Sequence, residues 1–360
     1  MNYIGSKYTL LTFLSQKIEQ VVGKNIQGMS FCDLFAGTGA VGRHFKKKGC
    51  HIIANDLQYY AYVLNRHYIG NHTPLAFERL DKIVPHTKDT LFGESRADEV
   101  CAYLNQIPPM EGFIYRNYCQ GNHNDNEDFR LYFSNENGAK CDAIRTTIEQ
   151  WKEQHLINDD EYFFLLTSLL EGIDKVANTA SVYGAYLKKL KKSAIKSFEL
   201  RPVEVIENDQ SHEIYNEDAI QLIGNINTDI LYLDPPYNQR QYSANYHVLE
   251  TIAKYDFPLL QGKTGMRDCS EQKSDFCNRK KVLQAFEQLI NSTDAKYIFL
   301  SYSNEGLMSF QDIQRIISKR GEYGVFSQKY NRFKADKESD NRHIAADYTT
   351  EYLHYVKVTE

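Results

Sequence analysis

At 360 residues the chain is long enough for two domains of ordinary size, or for one domain carrying a large insertion. Lys and Arg number 42 against 47 Asp and Glu, a net charge of −5 that excludes a chain-wide basic footprint for nucleic acid. A content of 42% hydrophobic and 25% charged residues excludes disorder and fibrous repeats.

No apolar run approaches the ~18 residues of a membrane span, and residues 1–7 lack the charged-then-apolar order of a secretion signal, so the cytoplasm is the expected compartment. The seven cysteines are scattered and form no C-x-x-C pair. Buried free thiols are expected, with neither a disulfide framework nor a metal site.

In chain order, residues 30–35 read as a short apolar strand ending at Asp33. The cluster Gly37-Thr38-Gly39-Ala40-Val41-Gly42 follows, then a basic helical stretch over 43–48. Residues 51–56 form a second apolar strand that ends in Asp56. Strand, glycine turn, helix and strand make one βαβ unit. Its G-x-G-x-x-G, with an acid 19 residues past the first glycine, suits a ligand carrying a ribose diol. A dinucleotide and S-adenosylmethionine both meet that description, and the loop alone does not choose between them.

Between about 60 and 200 the pattern becomes Tyr- and Asn-rich, with helical periodicity over 141–151 and 159–177. Strand-like runs return at 201–206, 229–233 and 297–300, and Tyr, Val and Phe alternate with polar residues over 323–333 and 352–358, as in a closing antiparallel hairpin. The expected class is therefore α/β: a Rossmann-like sheet formed by residues 1–65 and 200–360, split by a mostly helical insertion over 66–199.

Asp234-Pro235-Pro236-Tyr237 directly follows the apolar strand 230–233, where ligands bind in open α/β sheets. Two prolines stiffen the turn and remove two N–H donors. A carboxylate, a carbonyl without competing donors and an aromatic face together suit a flat ring bearing an amino group. An exocyclic base amine is a poor nucleophile while its lone pair is conjugated into the ring. Acceptors on both amino hydrogens let the nitrogen pyramidalise and aim that pair at an electrophilic methyl, with Tyr237 stacking on the base. A duplex base reaches such a pocket only by flipping out.

With these residues the sequence resembles the Dam-like, alpha-group DNA adenine-N6 methyltransferases, and the stretch 234–247 looks like those of type IIS restriction systems of the FokI type. The match rests on Tyr3-Ile4-Gly5-Ser6-Lys7, Asp33 to Gly39, Asn55-Asp56, Asp218 and the Asp-Pro-Pro-Tyr turn. Dam itself has Trp where Tyr3 stands. The resemblance implies an S-adenosylmethionine-dependent sheet domain and a target-recognition insertion. It implies cofactor contacts from Tyr3, Lys7, Asp33, Phe35, Ala36, Gly37, Thr38, Gly39, Asp56, Asp218 and Asp234. By that resemblance Lys7 would meet the cofactor carboxylate, Asp56 the ribose and Asp218 the adenine. For Asp218, a helix cap ahead of Ala219 is the competing reading.

The window 186–201 sets Lys188, Lys189, Lys191, Lys192, Lys196 and Arg201 against Glu199 alone, a local +5. Phosphate contacts need such a cluster rather than a basic total. Lys188, Lys189 and Lys192 are therefore candidate DNA contacts, and Arg240 and Tyr242, just past the turn, are candidates to clamp or replace a flipped base. The expected partners are double-stranded DNA and, functionally, a cognate restriction endonuclease, with the chain itself a monomer away from membranes. A cytosine-N4 methyltransferase, an NAD-dependent oxidoreductase and a non-catalytic DNA-binding regulator are the alternatives.

Overall fold

A computed structural model describes residues 5–23, 25–86, 95–120, 129–331 and 348–359. The chain divides into two units: one contains Arg66–Glu207 and Ser243–Ser270, the other Gly5–Asn65, Asn208–Tyr242 and Glu271–Glu360.

The latter unit carries a seven-stranded sheet, with β1 at Ser30–Asp33, β2 at His51–Asn55, β3 at Glu213–Tyr215, β4 at Asn227–Leu233, β5 at Asp294–Ser303, β6 at Gly321–Asn331 and β7 at Tyr348–Val358. Their spatial order is β3-β2-β1-β4-β5-β7-β6. The first five run parallel, and β7 pairs antiparallel with both β5 and β6. From β1 the chain proceeds outward through β2 and β3, then returns to the far side of β1 as β4. The carboxyl ends of β1 and β4 therefore flank the switch point where an open α/β sheet forms its ligand crevice.

Side chains alternate across the strands. Cys32, Ile53, Leu231, Leu233, Ile298, Leu300 and Val356 join one buried cluster with the helices Val282–Ser292 and Phe310–Ile317. Phe31 points the other way and stacks on Phe45 of the helix Ala40–Lys47, centroids 4.1 Å apart.

One strand expectation fails. Residues 201–206 form no strand. Pro202 lacks a ladder donor, and nearby backbone groups are bonded by side chains instead: Asn105 pairs with both the N–H and the carbonyl of Leu200, and the His67 ring bonds the Glu204 carbonyl. The third parallel strand is the three-residue β3.

The other unit is helical, with long helices at Asn135–Glu153 and Asp159–Lys175. Ser134 caps the first, and Asn158 and Glu161 form a reciprocal capping box on the second. Residues 243–270, expected with the sheet, belong to this unit. The buried Arg145 accounts for much of this: its guanidinium donates to the carbonyls of Ile252 (3.0 Å) and Ala253 (3.1 Å), at the C-terminal end of the helix His247–Lys254. Tyr118 and Tyr132 hydroxyls donate to the Gly265 and Thr264 carbonyls of the following turn.

All seven cysteines are free and six are buried. Among the described residues, no helix is long and apolar enough to cross a membrane.

Candidate active site

The glycine loop leaves the carboxyl end of β1. Gly37 and Gly39 adopt φ of 52° and 75°, left-handed values that side-chain-bearing residues rarely take. The Ala36 N–H donates to the Asn55 carbonyl, the Gly39 N–H to the Ala36 carbonyl, and the Asn65 amide to the Gly37 carbonyl. Asp56 accepts from the Gly37 N–H at 2.8 Å on Oδ2 and from the Gln58 N–H on Oδ1. Thus Asp56 helps to hold the loop. Ala36 is buried, Thr38 is half-buried, and the half-buried Phe35 ring packs edge-on against Phe276 at 5.1 Å.

Asp33, at the end of β1, is 1% exposed. Its Oδ2 accepts from the Gly42 N–H at 3.2 Å, while Oδ1 is buried without a partner. Burial, reinforced by the charge of Asp234, pushes the Asp33 carboxyl up to about 8.

The Asp-Pro-Pro-Tyr turn leaves β4 beside that loop. Asp234 is partly exposed and Pro235 is buried. The Tyr237 hydroxyl lies 2.7 Å from both Asp234 Oδ1 and Glu351 Oε1, so its single proton serves one of them at a time. The Tyr237 ring packs edge-on against Tyr302, centroids 5.0 Å apart, and the Tyr237 carbonyl accepts from the Leu307 N–H. Asp234 Oδ2 and the Pro235 carbonyl receive no hydrogen bond among the described residues. Two acceptors are left bare at the switch point.

Lys7 completes the cluster. It is 5% exposed, and its ammonium lies 3.1 Å from Asp234 Oδ1 and 2.8 Å from Glu351 Oε1, and donates to the Tyr237 hydroxyl. An ammonium has three donors, and these contacts use all three. In this structure the Lys7 donors point to Asp234, Glu351 and Tyr237. Burial lowers the Lys7 pKa, but Asp234 and Glu351 outweigh it and raise it above the ordinary lysine value. For Asp234, burial outweighs the ammonium, and with help from the Glu351 charge its carboxyl rises to about 6.

Glu351 escapes sequence reasoning. It sits on β7 within a Tyr- and Thr-rich strand, far in sequence from every motif, and is fully buried. Ser301 of β5 donates to its Oε1 at 2.6 Å.

Asp218 caps the turn that follows β3: its Oδ1 accepts from the N–H groups of Ile220 and Gln221 at 3.0 and 3.2 Å. Tyr3 lies outside the described residues. Arg240 is exposed. Tyr242 is half-buried, with its hydroxyl so close to Gly5, whose φ is 82°, that a Cβ there would stand 2.8 Å away. Gln241 binds both backbone groups of Ser274.

Lys188, Lys189 and Lys192 are exposed, in irregular backbone rather than on a helix face. The loop is anchored by the buried Asn178, whose amide donates to the Leu131 and Leu187 carbonyls and whose side-chain oxygen accepts from the Lys191 N–H, each at 2.9 Å. Tyr183, a few residues before the lysines, is wholly buried and donates to Asp174.

A mostly parallel sheet with a glycine loop and an Asp-Pro-Pro-Tyr turn at its switch point has the arrangement of an amino-group methyltransferase. The chain matches the family model of the D12 class N6 adenine-specific DNA methyltransferases over residues 3–316 and belongs to that family. It is similar to the type II methyltransferase M.NlaIII of Neisseria lactamica, at 49% identity over 359 residues and the whole of both chains. It is also similar to the type II methyltransferase M.CviAII of Paramecium bursaria Chlorella virus 1, at 35% identity over 361 residues, 100% of this chain and 99% of that one. With M.FokI of Planomicrobium okeanokoites the identity is 37% over 368 residues, 99% of this chain but 52% of that protein. Family membership makes the protein an adenine-specific DNA methyltransferase and removes the cytosine-N4, oxidoreductase and non-catalytic alternatives.

Proposed function

We propose that the chain transfers a methyl group from S-adenosylmethionine to N6 of an extrahelical adenine within a short double-stranded recognition sequence, as the protective half of a cytoplasmic restriction–modification pair, acting as a monomer beside its cognate endonuclease. The observation that carries this reading is the pair of bare acceptors, Asp234 Oδ2 and the Pro235 carbonyl. Accepting both amino hydrogens there localises the N6 lone pair on nitrogen; the N–C bond would form as the methyl–sulfur bond of the sulfonium breaks, a neutral thioether would leave, and one amino proton would pass to water. Tyr237 supports the base by stacking, and Pro236 keeps the turn rigid.

The loop residues suit the cofactor. The positive φ values of Gly37 and Gly39 permit close backbone approach, the buried Asp33 Oδ1 is a polar atom without a partner, and Asp56 offers a carboxylate to a diol. Phe35, Ala36 and Thr38 line the same loop, and the second oxygen of Asp218 is left for the adenine amine. When bound, S-adenosylmethionine supplies an electrophilic methyl on a sulfonium. Tyr3 is assigned to the cofactor by the family resemblance alone.

Residues 66–199, together with 243–270, form the target-recognition part in this reading. Lys188, Lys189 and Lys192 meet phosphates, and Arg240 and Tyr242 serve the space around the flipped base. Methyl transfer from labelled S-adenosylmethionine into DNA, followed by base analysis, tests the proposal. Label in N6-methyladenine supports it, and no transfer by the intact chain defeats it.

A further inference from the structure

A fully buried acid on β7, Glu351, is joined to the Asp-Pro-Pro-Tyr turn directly through Tyr237 and indirectly through Lys7. Three polar groups converge on one oxygen of Glu351: the Lys7 ammonium at 2.8 Å and the Ser301 hydroxyl at 2.6 Å donate to it, and the Tyr237 hydroxyl at 2.7 Å shares its one proton between Glu351 and Asp234. Its other oxygen, Oε2, is buried without a partner. Unpartnered buried polar atoms in native proteins call for an explanation beyond packing.

Without Glu351, the Lys7 ammonium and Asp234 form a closed one-to-one pair. With Glu351 present, one cation is shared by two carboxylates, and the cluster keeps a net negative charge beside the bare Asp234 Oδ2. Lys7 also stands 4.6 Å over the Tyr237 ring. Three elements that sequence places far apart, the Lys7–Leu10 turn, the residues after β4, and β7, are thereby held in one geometry.

We propose that Glu351 is a positioning residue for methyl transfer: it draws the Lys7 ammonium and the Tyr237 hydroxyl toward β7, fixes the ring that supports the base, and prevents Lys7 from neutralising Asp234. The inference rests on the methyltransferase reading above. It adds that the electron-rich state of the catalytic turn depends on a residue outside that turn.

The ionisable groups facing Asp234 are Lys7 from the N-terminal turn, Asp33 from β1, Tyr232 from β4, Tyr237 from the catalytic turn itself and Glu351 from β7. Of these, Glu351 pushes the Asp234 carboxyl upward and Lys7 pulls it down. Removing the Glu351 charge must therefore move the acid limb of the rate profile to lower pH, even as the rate falls.

The test compares Glu351→Gln, which keeps the shape and removes the charge, with Glu351→Asp, which keeps the charge and withdraws it by one methylene. Single-turnover methylation of duplex DNA is followed across pH, with melting curves and S-adenosylmethionine affinity measured alongside. Glu351→Gln is expected to lose between about tenfold and a hundredfold in rate at its plateau, the scale of misplaced catalytic geometry, with cofactor affinity within about twofold of the parent and its acid limb shifted downward. Glu351→Asp is expected to lose rate with its acid limb unmoved. A parental rate and an unmoved limb in folded Glu351→Gln overturn the proposal. Failure of both variants to fold assigns Glu351 to stability alone and overturns it as well. An intact chain that does not methylate DNA instead defeats the underlying reading.

Discussion

Lys7 and Glu351, from opposite ends of the chain, meet at 2.8 Å inside the sheet unit, and the Tyr237 hydroxyl bonds to both. The contact ties the N-terminal motif to the catalytic turn through the last strand.

Asp234→Ala removes the bare carboxylate oxygen of the catalytic turn. The expected loss of methylation is at least about 10²–10³-fold, the scale seen when a single preorganised hydrogen-bonding group is taken from an active site. Melting temperature is the control, because Lys7 keeps Glu351 as a partner. A rate within tenfold of the parent contradicts the proposed role.

Tyr237 separates into ring and hydroxyl. Tyr237→Phe keeps the ring but takes a partner from Lys7, Asp234 and Glu351, and is expected to cost about 1–3 kcal/mol of stability, the penalty for leaving buried groups short of a hydrogen bond. Tyr237→Ala should in addition weaken binding of an unstacked target base by roughly 1–3 kcal/mol. Equal DNA affinities for the two variants would remove the stacking role.

The rate should fall as pH drops through about 6, where Asp234 takes up a proton and can no longer offer two acceptor oxygens. Stability responds separately through Asp33. Its folded-state pKa of about 8 exceeds the ordinary 3.8, so the folded chain holds a proton that the unfolded chain releases. Stability is therefore lost as pH rises from about 4 to about 8. Asp33→Asn should therefore raise the melting temperature more at pH 8 than at pH 5, by the equivalent of about 1–3 kcal/mol. An equal gain at both values would remove the buried charge as the cause.

The exposed lysines predict a salt effect. Replacing Lys188, Lys189 and Lys192 together by Ala should flatten the dependence of log affinity on log salt by up to about three, near one for each phosphate no longer neutralised. The rate on saturating DNA should be preserved. An unchanged slope would make this loop a solvated surface. Asn178→Ala, which strips the loop of its buried anchor, should weaken DNA binding even with every lysine in place.

Much of the site was legible because its parts are local motifs. The glycines, Asp56 and the Asp-Pro-Pro-Tyr turn each follow an apolar strand, and tight turns demand particular residues at fixed offsets. Glu351 was not legible, since its meaning comes from β7 lying antiparallel beside β5, a pairing that no local pattern specifies. Residues 201–206 misled for a related reason: alternating apolar and polar side chains suit a strand, but Asn105 and His67 take up backbone groups in and beside that segment. The grouping of 243–270 with the helical unit depends on Arg145, whose hydrogen bonds cross more than a hundred positions of sequence.

Whether Asp234 and its turn direct methylation to adenine N6 is tested most directly by base analysis of DNA from otherwise unmodified cells expressing either the parent chain or Asp234→Ala. N6-methyladenine is expected with the parent and none with the variant; equal N6-methyladenine in both, or methyl groups found only on cytosine, would contradict the proposed role.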